Sequence, residues 1–145
     1  MKKNILIILS CILIMTSCSL NDNDNATPQE IKYLWHLVKV TGGIAGVNEQ
    51  FETNVITWSF NNETETLVVN NKNTDDSIED SLDSGTYSFS VLEENNTTYL
   101  IIDDIELGSF EVSGNILTIN QNNTSTGNGT DGFIYTFQVE TIVAN

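Results

Sequence analysis

The stretch GFIYTFQVET, residues 132–141, decides the fold. Phe133, Tyr135, Phe137 and Val139 recur at every second position, and Thr136, Gln138 and Glu140 occupy the positions between them. Successive side chains of a strand point to opposite faces, so this segment has one dry face and one wet face, as strands of antiparallel sheets do. The rhythm repeats upstream. Tyr87, Phe89 and Val91 oppose Ser88 and Ser90, while Ile56, Trp58 and Phe60 oppose Val55, Thr57 and Ser59. The apolar runs predict strands over 33–41, 54–60, 65–70, 84–91, 98–103, 105–112, 115–120 and 132–141. Asn61-Asn62-Glu63, Asp103-Asp104 and Ser113-Gly114-Asn115 are compact turn signals between them. Residues 42–50, 71–83 and 121–131 are longer polar loops, and only 77–82 has the makings of a single helical turn. About eight short strands at this spacing predict an all-β sandwich or barrel; sequential hairpins give an up-and-down antiparallel meander, and closing it into a barrel removes the exposed edges that invite aggregation.

The N-terminus differs in kind. Met1, Lys2, Lys3 and Asn4 precede an apolar run from Ile5 to Met15, too short to span a bilayer and right for a secretory signal. Ile14-Met15-Thr16-Ser17-Cys18 resembles a bacterial lipobox, with Met15 where Leu is commoner. That resemblance implies cleavage before Cys18, acylation of its thiol and amine, and attachment to a membrane. Several acyl chains make such attachment effectively permanent. Residues 19–29 carry Asp22, Asp24, three asparagines and the sole proline, Pro28, a composition that cannot bury apolar area and predicts an extended leash. The expected organisation is a signal peptide over 1–17, an acylated cysteine and tether over 18–30, and a barrel domain over 31–145. Acidic residues soon after Cys18 resemble the export signal of some gram-negative surface lipoproteins. Outer-membrane anchorage, extending to the cell surface, is therefore expected, although a plain solvated spacer reads the same way.

Without its leader the chain holds Lys32, Lys39 and Lys72 and no arginine against 20 carboxylates, a formal balance of −17. Such a field repels phosphates, so nucleic acid and anionic headgroups are poor partners. Cys11 leaves with the signal and Cys18 carries lipid. The mature domain then has no thiol for a disulfide, a metal or a nucleophile, and its stability rests on its core.

Chemistry-bearing patterns each have a plainer explanation. Gly42-Gly43-Ile44-Ala45-Gly46 has the glycines of a phosphate loop, but Val47-Asn48-Glu49-Gln50 supplies neither a lysine nor a helix N-terminus; positive φ accounts for the glycines. Asp83-Ser84-Gly85-Thr86 resembles the aspartic-protease element, which needs two carboxylates sharing a proton; one copy reads as a turn opening the strand at Tyr87. Asp75, Asp76, Glu79, Asp80 and Asp83 offer oxygen ligands for calcium, yet in an order unlike an EF-hand, and a solvated acidic loop is the simpler reading. Asp76-Ser77-Ile78 and Asp80-Ser81-Leu82 resemble a bacterial O-glycosylation pattern that is short enough to occur by chance. His36 is the sole histidine and builds neither a zinc site nor a triad alone, so it is expected on the surface or rim. No metal, cofactor or catalytic residue is assigned.

Trp35-His36-Leu37-Val38, Gly42-Gly43-Ile44-Ala45-Gly46, Ile56-Thr57-Trp58-Ser59-Phe60, Gly85-Thr86-Tyr87-Ser88-Phe89, Leu117-Thr118-Ile119 and residues 131–137 follow one another in order. In order and spacing they resemble the bacterial lipocalin-like lipoproteins of the calycin group, across most of the mature chain. That resemblance implies an eight-stranded barrel with the early Trp35 plugging one end, here without the arginine that stacks on it in larger lipocalins. A META-like meander, which also opens on a Trp-x-Leu strand, is the alternative resemblance. Trp35, Trp58, Phe60, Tyr87, Phe89, Tyr135 and Phe137 are the expected ligand-binding residues, with Cys18 the lipidation site. An eight-stranded barrel is at the size where side chains either fill the lumen or leave room for one small ligand. Two functions therefore stand side by side. One is a non-enzymatic, lipid-anchored barrel binding a small apolar or amphipathic molecule. The other is a side-chain-filled interaction module whose loops or outer face meet another envelope component or a glycan. A hydrolase is the weakest third option and requires paired carboxylates in a cleft.

Overall fold

The computed structural model describes residues 30–144, with side chains for 31–143. Cys18, the signal and the tether lie outside the described residues. The strands are β1 (Glu30–Gly42), β2 (Val47–Gln50), β3 (Ile56–Asn61), β4 (Thr66–Asn71), β5 (Gly85–Glu94), β6 (Thr97–Ile102), β7 (Ile105–Ser113), β8 (Ile116–Asn120), β9 (Asn123–Thr124), β10 (Gly127–Asn128) and β11 (Phe133–Ala144). Neighbours in the main sheet are neighbours in sequence, and β11 pairs back onto β1, so β1, β3 to β8 and β11 form an eight-stranded closed antiparallel barrel. Of the sandwich and the barrel that the alternation allows, the chain forms the barrel, and it is consistent with a calycin-like architecture.

All eight predicted strands are present. Two further features replace expected loops. Residues 47–50 form β2, which pairs with β1 between Lys39 and Gly42, while β3 pairs with β1 at Trp35 and His36. Thus β2 and β3 act as one strand interrupted over 51–55. Residues 123–128 hold the small β9–β10 ribbon. Residues 77–82 do not take up the single helical turn open to them; a turn at Asp76 and Ser77 stands nearby, closed by the Ile78 N–H on the Asp75 carbonyl.

Tight turns follow residue chemistry. Asn95 and Asn96 both have positive φ, as do Asp103 and Asp104, which is the requirement of the two-residue hairpin turn whose twist suits a twisted sheet. Gly108 sits at φ +139° where β6 and β7 slip register, and a Cβ there would clash with the Asn120 carbonyl oxygen. Only glycine permits that approach of β7 to the end of β8.

The meander gathers its two longest connections at one end. At one end lie the short turns over 62–65, 95–96 and 114–115, beside the start of β1 and the end of β11. We call this the hairpin end. At the other, the loop end, lie 43–46, 72–84, 103–104 and 121–132. The core runs between them: Leu37, Val40, Ile56, Trp58, Leu67, Val69, Leu100, Ile102, Leu117, Ile119, Tyr135 and Phe137 form one buried cluster. Burying side chains of this size stabilises by about 1.5–3 kcal/mol each.

Candidate functional site

All seven aromatics singled out from the sequence belong to this interior. Trp58, Tyr135 and Phe137 are buried, and Trp35, Phe60, Tyr87 and Phe89 pack against them partly buried. Trp58 and Phe137 stand 4.8 Å apart between ring centroids. Phe60 makes edge contacts with Trp58, Phe89 and Phe110 at 6.1, 5.0 and 5.9 Å. These are the spacings of interlocked aromatic pairs, so the rings fill the lumen with one another. Trp35 is half-buried, opposite Val139 on one side and Trp58 on the other. Among the described residues the buried Trp58 indole N–H has no hydrogen-bond partner, a cost of about 1–3 kcal/mol to the fold.

The loop end is capped. The Tyr135 hydroxyl donates to Glu79 Oε1 at 2.8 Å, and the same oxygen accepts the Ser81 N–H at 3.1 Å. Burial, then the hydrogen bond and negative charge of Glu79, then the charge of Asp80, hold the Tyr135 phenol neutral far above the ordinary tyrosine range. Leu82 packs against the core from the same loop, and Tyr87 Oη donates to the Asp83 carbonyl. Asp80 Oδ2 accepts from Asn71 Nδ2 and Asn73 Nδ2 at 2.8 and 2.9 Å. Asp75 takes the Ser77 hydroxyl and N–H, which draw its carboxyl below the usual range. The loop's acids thus brace the loop itself, and among the described residues no three His, Cys, Asp or Glu groups gather as a metal cluster. Ser84 Oγ accepts the Asn71 N–H and donates to the Asn71 carbonyl, so Asp83-Ser84-Gly85-Thr86 is a hydrogen-bonded turn into β5.

The other two long loops join the cap. Asn122 bonds Gly132 through both ends of its side-chain amide, at 2.8 and 3.0 Å, imitating a strand pair. Glu106 on β7 accepts the Ser125 N–H at 2.7 Å and the Ser125 hydroxyl. Gly43 donates its N–H to the Gly132 carbonyl at 3.1 Å, and Gly42, at φ +107°, lies where a Cβ would strike that carbonyl. The three loops read from the sequence as separate features therefore converge on one end. Ile44, at the tip of 43–46, is 89% exposed there.

The hairpin end is open by comparison. Residues directly opposite in an antiparallel pair share a face. Val112 opposes buried Leu117, Val91 opposes buried Leu100, and Ile31 and Tyr33 continue the alternation of Leu37. All four face inward, yet they are 50–57% exposed, because the strands outrun the side chains that fill them. Val91 was expected on the same face as Tyr87 and Phe89, and it is there, half in water. Since β1 meets β3 only at Trp35 and His36, the wall parts below that point. A groove of about 560 Å³ opens there, lined by Ile31, Tyr33, Phe60 and Val68 with polar neighbours. Sequence reading missed it; the apolar alternation of β1 running back through Tyr33 to Ile31 was its signal.

His36 is the other correction. It is buried rather than at the surface or rim. The Asn54 N–H donates to its Nδ1 at 3.2 Å, which leaves the proton on Nε2 to be donated to Glu140 Oε2 at 2.9 Å. The ring pins the 51–55 interruption onto the outer face of β1.

No family model, curated protein or solved structure matches this chain.

Proposed function

We propose that this chain is a lipid-anchored, non-enzymatic envelope protein whose lipocalin-like barrel is an interaction module, meeting another envelope component or a glycan through its loop end. The observation that carries this reading is the convergence of loops 43–46, 72–84 and 121–132 over a filled lumen, at the end opposite the start of β1. An anchor at Cys18 joins the domain at the hairpin end, so the loop end is the part presented outward. Its braced backbone suits recognition, because little ordering remains to be done on binding. Exposed Ile44 supplies an apolar contact beside the asparagines, threonines and Ser125 of 121–132, which suit hydroxyl-rich ligands.

The second reading, binding of a small apolar or amphipathic molecule, rests on the groove beside Phe60, whose volume falls in the range of small-molecule sites. Native mass spectrometry of the non-acylated domain separates the two. A co-purifying mass lost in Phe60→Ala supports the groove. A bare domain that binds a glycan array or envelope material, with binding lost in Ile44→Asp and kept in Phe60→Ala, supports the loop end. Palmitate labelling lost in Cys18→Ala tests the anchor separately.

A further inference from the structure

We propose that the hairpin end is a membrane-contact face, its apolar rim resting on the neutral headgroup region of the bilayer to which the chain is anchored. This inference rests on the anchor at Cys18. Ile31, Tyr33, Val91, Val112 and Val143 are each about half exposed. All five belong to the inward face of their strands, Val143 by its pairing with Ile31. They lie where β1, β5, β7 and β11 overshoot the core, so together they form a rim around one end. Exposed apolar groups gathered in this way mark a contact surface.

The chain itself selects the occupant. Glu30, the first described residue, pairs with Ala144 at this same end. Twelve residue steps separate it from Cys18 and span at most ~43 Å at about 3.3–3.6 Å each. A lipid surface holding Cys18 is therefore always within one tether length of the rim, while the loop end is a barrel's length further away. Tethering turns contact into an intramolecular event, with the high effective concentration that follows. The surrounding charge narrows the lipid. Glu63, Glu65, Glu93, Glu94 and Glu111 are exposed on the hairpins around the rim, against Lys32. Anionic headgroups repel that collar and neutral ones do not.

The test uses the acylated full chain, reconstituted in phosphatidylcholine vesicles and in vesicles containing phosphatidylglycerol. Nitroxide labels are placed at Val112→Cys, on the rim, and at Ser125→Cys, on the loop end. In phosphatidylcholine the Val112 label gains oxygen accessibility and loses accessibility to a water-soluble nickel chelate at least threefold, relative to the same label on the non-acylated domain. The Ser125 label is unchanged, and phosphatidylglycerol reduces the Val112 effect. Vesicle flotation reports the anchor independently. A chain that fails to float overturns the anchor and this inference together. A chain that floats while its Val112 label stays as water-accessible as its Ser125 label overturns this inference alone.

Discussion

The two ends of the barrel are made of the same strands and finished in opposite ways. At the loop end, side chains close over the core: Tyr135 reaches Glu79, Leu82 tucks beneath, and Asn122 ties residues 121–132 to the mouth of the barrel. At the hairpin end the turns are two to four residues long and too short to fold back over the opening. Phe60, Phe89 and Phe110 close the lumen from within, and beyond them apolar residues stand in the open. The two long connections thus brace one end with hydrogen bonds, while the other end leaves a rim of half-exposed apolar side chains.

If the filled middle is what holds both ends, its loss has the largest effect. Trp58→Ala or Phe137→Ala is expected to destabilise the domain by about 3–5 kcal/mol, read from urea unfolding midpoints. A change under about 1 kcal/mol would show that the lumen is not packed as described. Next comes Gly108→Ala, which forces a Cβ onto the Asn120 carbonyl at a positive φ; a loss of about 2 kcal/mol is expected, from the strain of a non-glycine residue held there.

The loop end answers to its cap. Glu79→Ala removes the acceptor of the Tyr135 hydroxyl and is expected to cost about 1–3 kcal/mol, with faster hydrogen exchange over 72–84. The same contact carries a pH signature. Because folding raises the Tyr135 pKa, its contribution is complete below the ordinary tyrosine value of ~10 and is lost as pH rises beyond it. Stability of the wild type should therefore fall more steeply above pH ~10 than that of Tyr135→Phe, in parallel urea titrations. At the hairpin end the expected effect is smallest. Val91→Ser and Val112→Ser should change stability by no more than about 0.5 kcal/mol, since both side chains are already half in water. A loss comparable to that of Glu79→Ala would mean the rim belongs to the core and the two ends do not differ.

The pleat was readable from residue types, and depth along the barrel was not. Phe133, Tyr135 and Phe137 announce an inward face through a rule that needs only two-residue spacing. The same rule puts Val91 on the inward face and says nothing of where the strand leaves the core, which depends on barrel tilt and on how far its neighbours extend. Val47-Asn48-Glu49-Gln50 became a strand because β1 offers it a free edge, a tertiary cause invisible in four mostly polar residues. His36 misled for a related reason. On its own strand it falls on the outer face, and it is buried by residues 51–55, which the β2–β3 interruption folds over it. The seven aromatics share one interior, whereas the groove beside Phe60 arises from two strands parting, a feature of pairing rather than of composition.

The pairing of Glu30 with Ala144 joins the first and last described residues as strand partners. A short linker there is enough to make the chain continuous, and a cut within the exposed turn at Asn62 and Glu63 opens it elsewhere. Such a circular permutant keeps every ladder of the cylinder and carries its free ends on the β3–β4 hairpin. The order in which the strands are synthesised is therefore separable from the shape they close into.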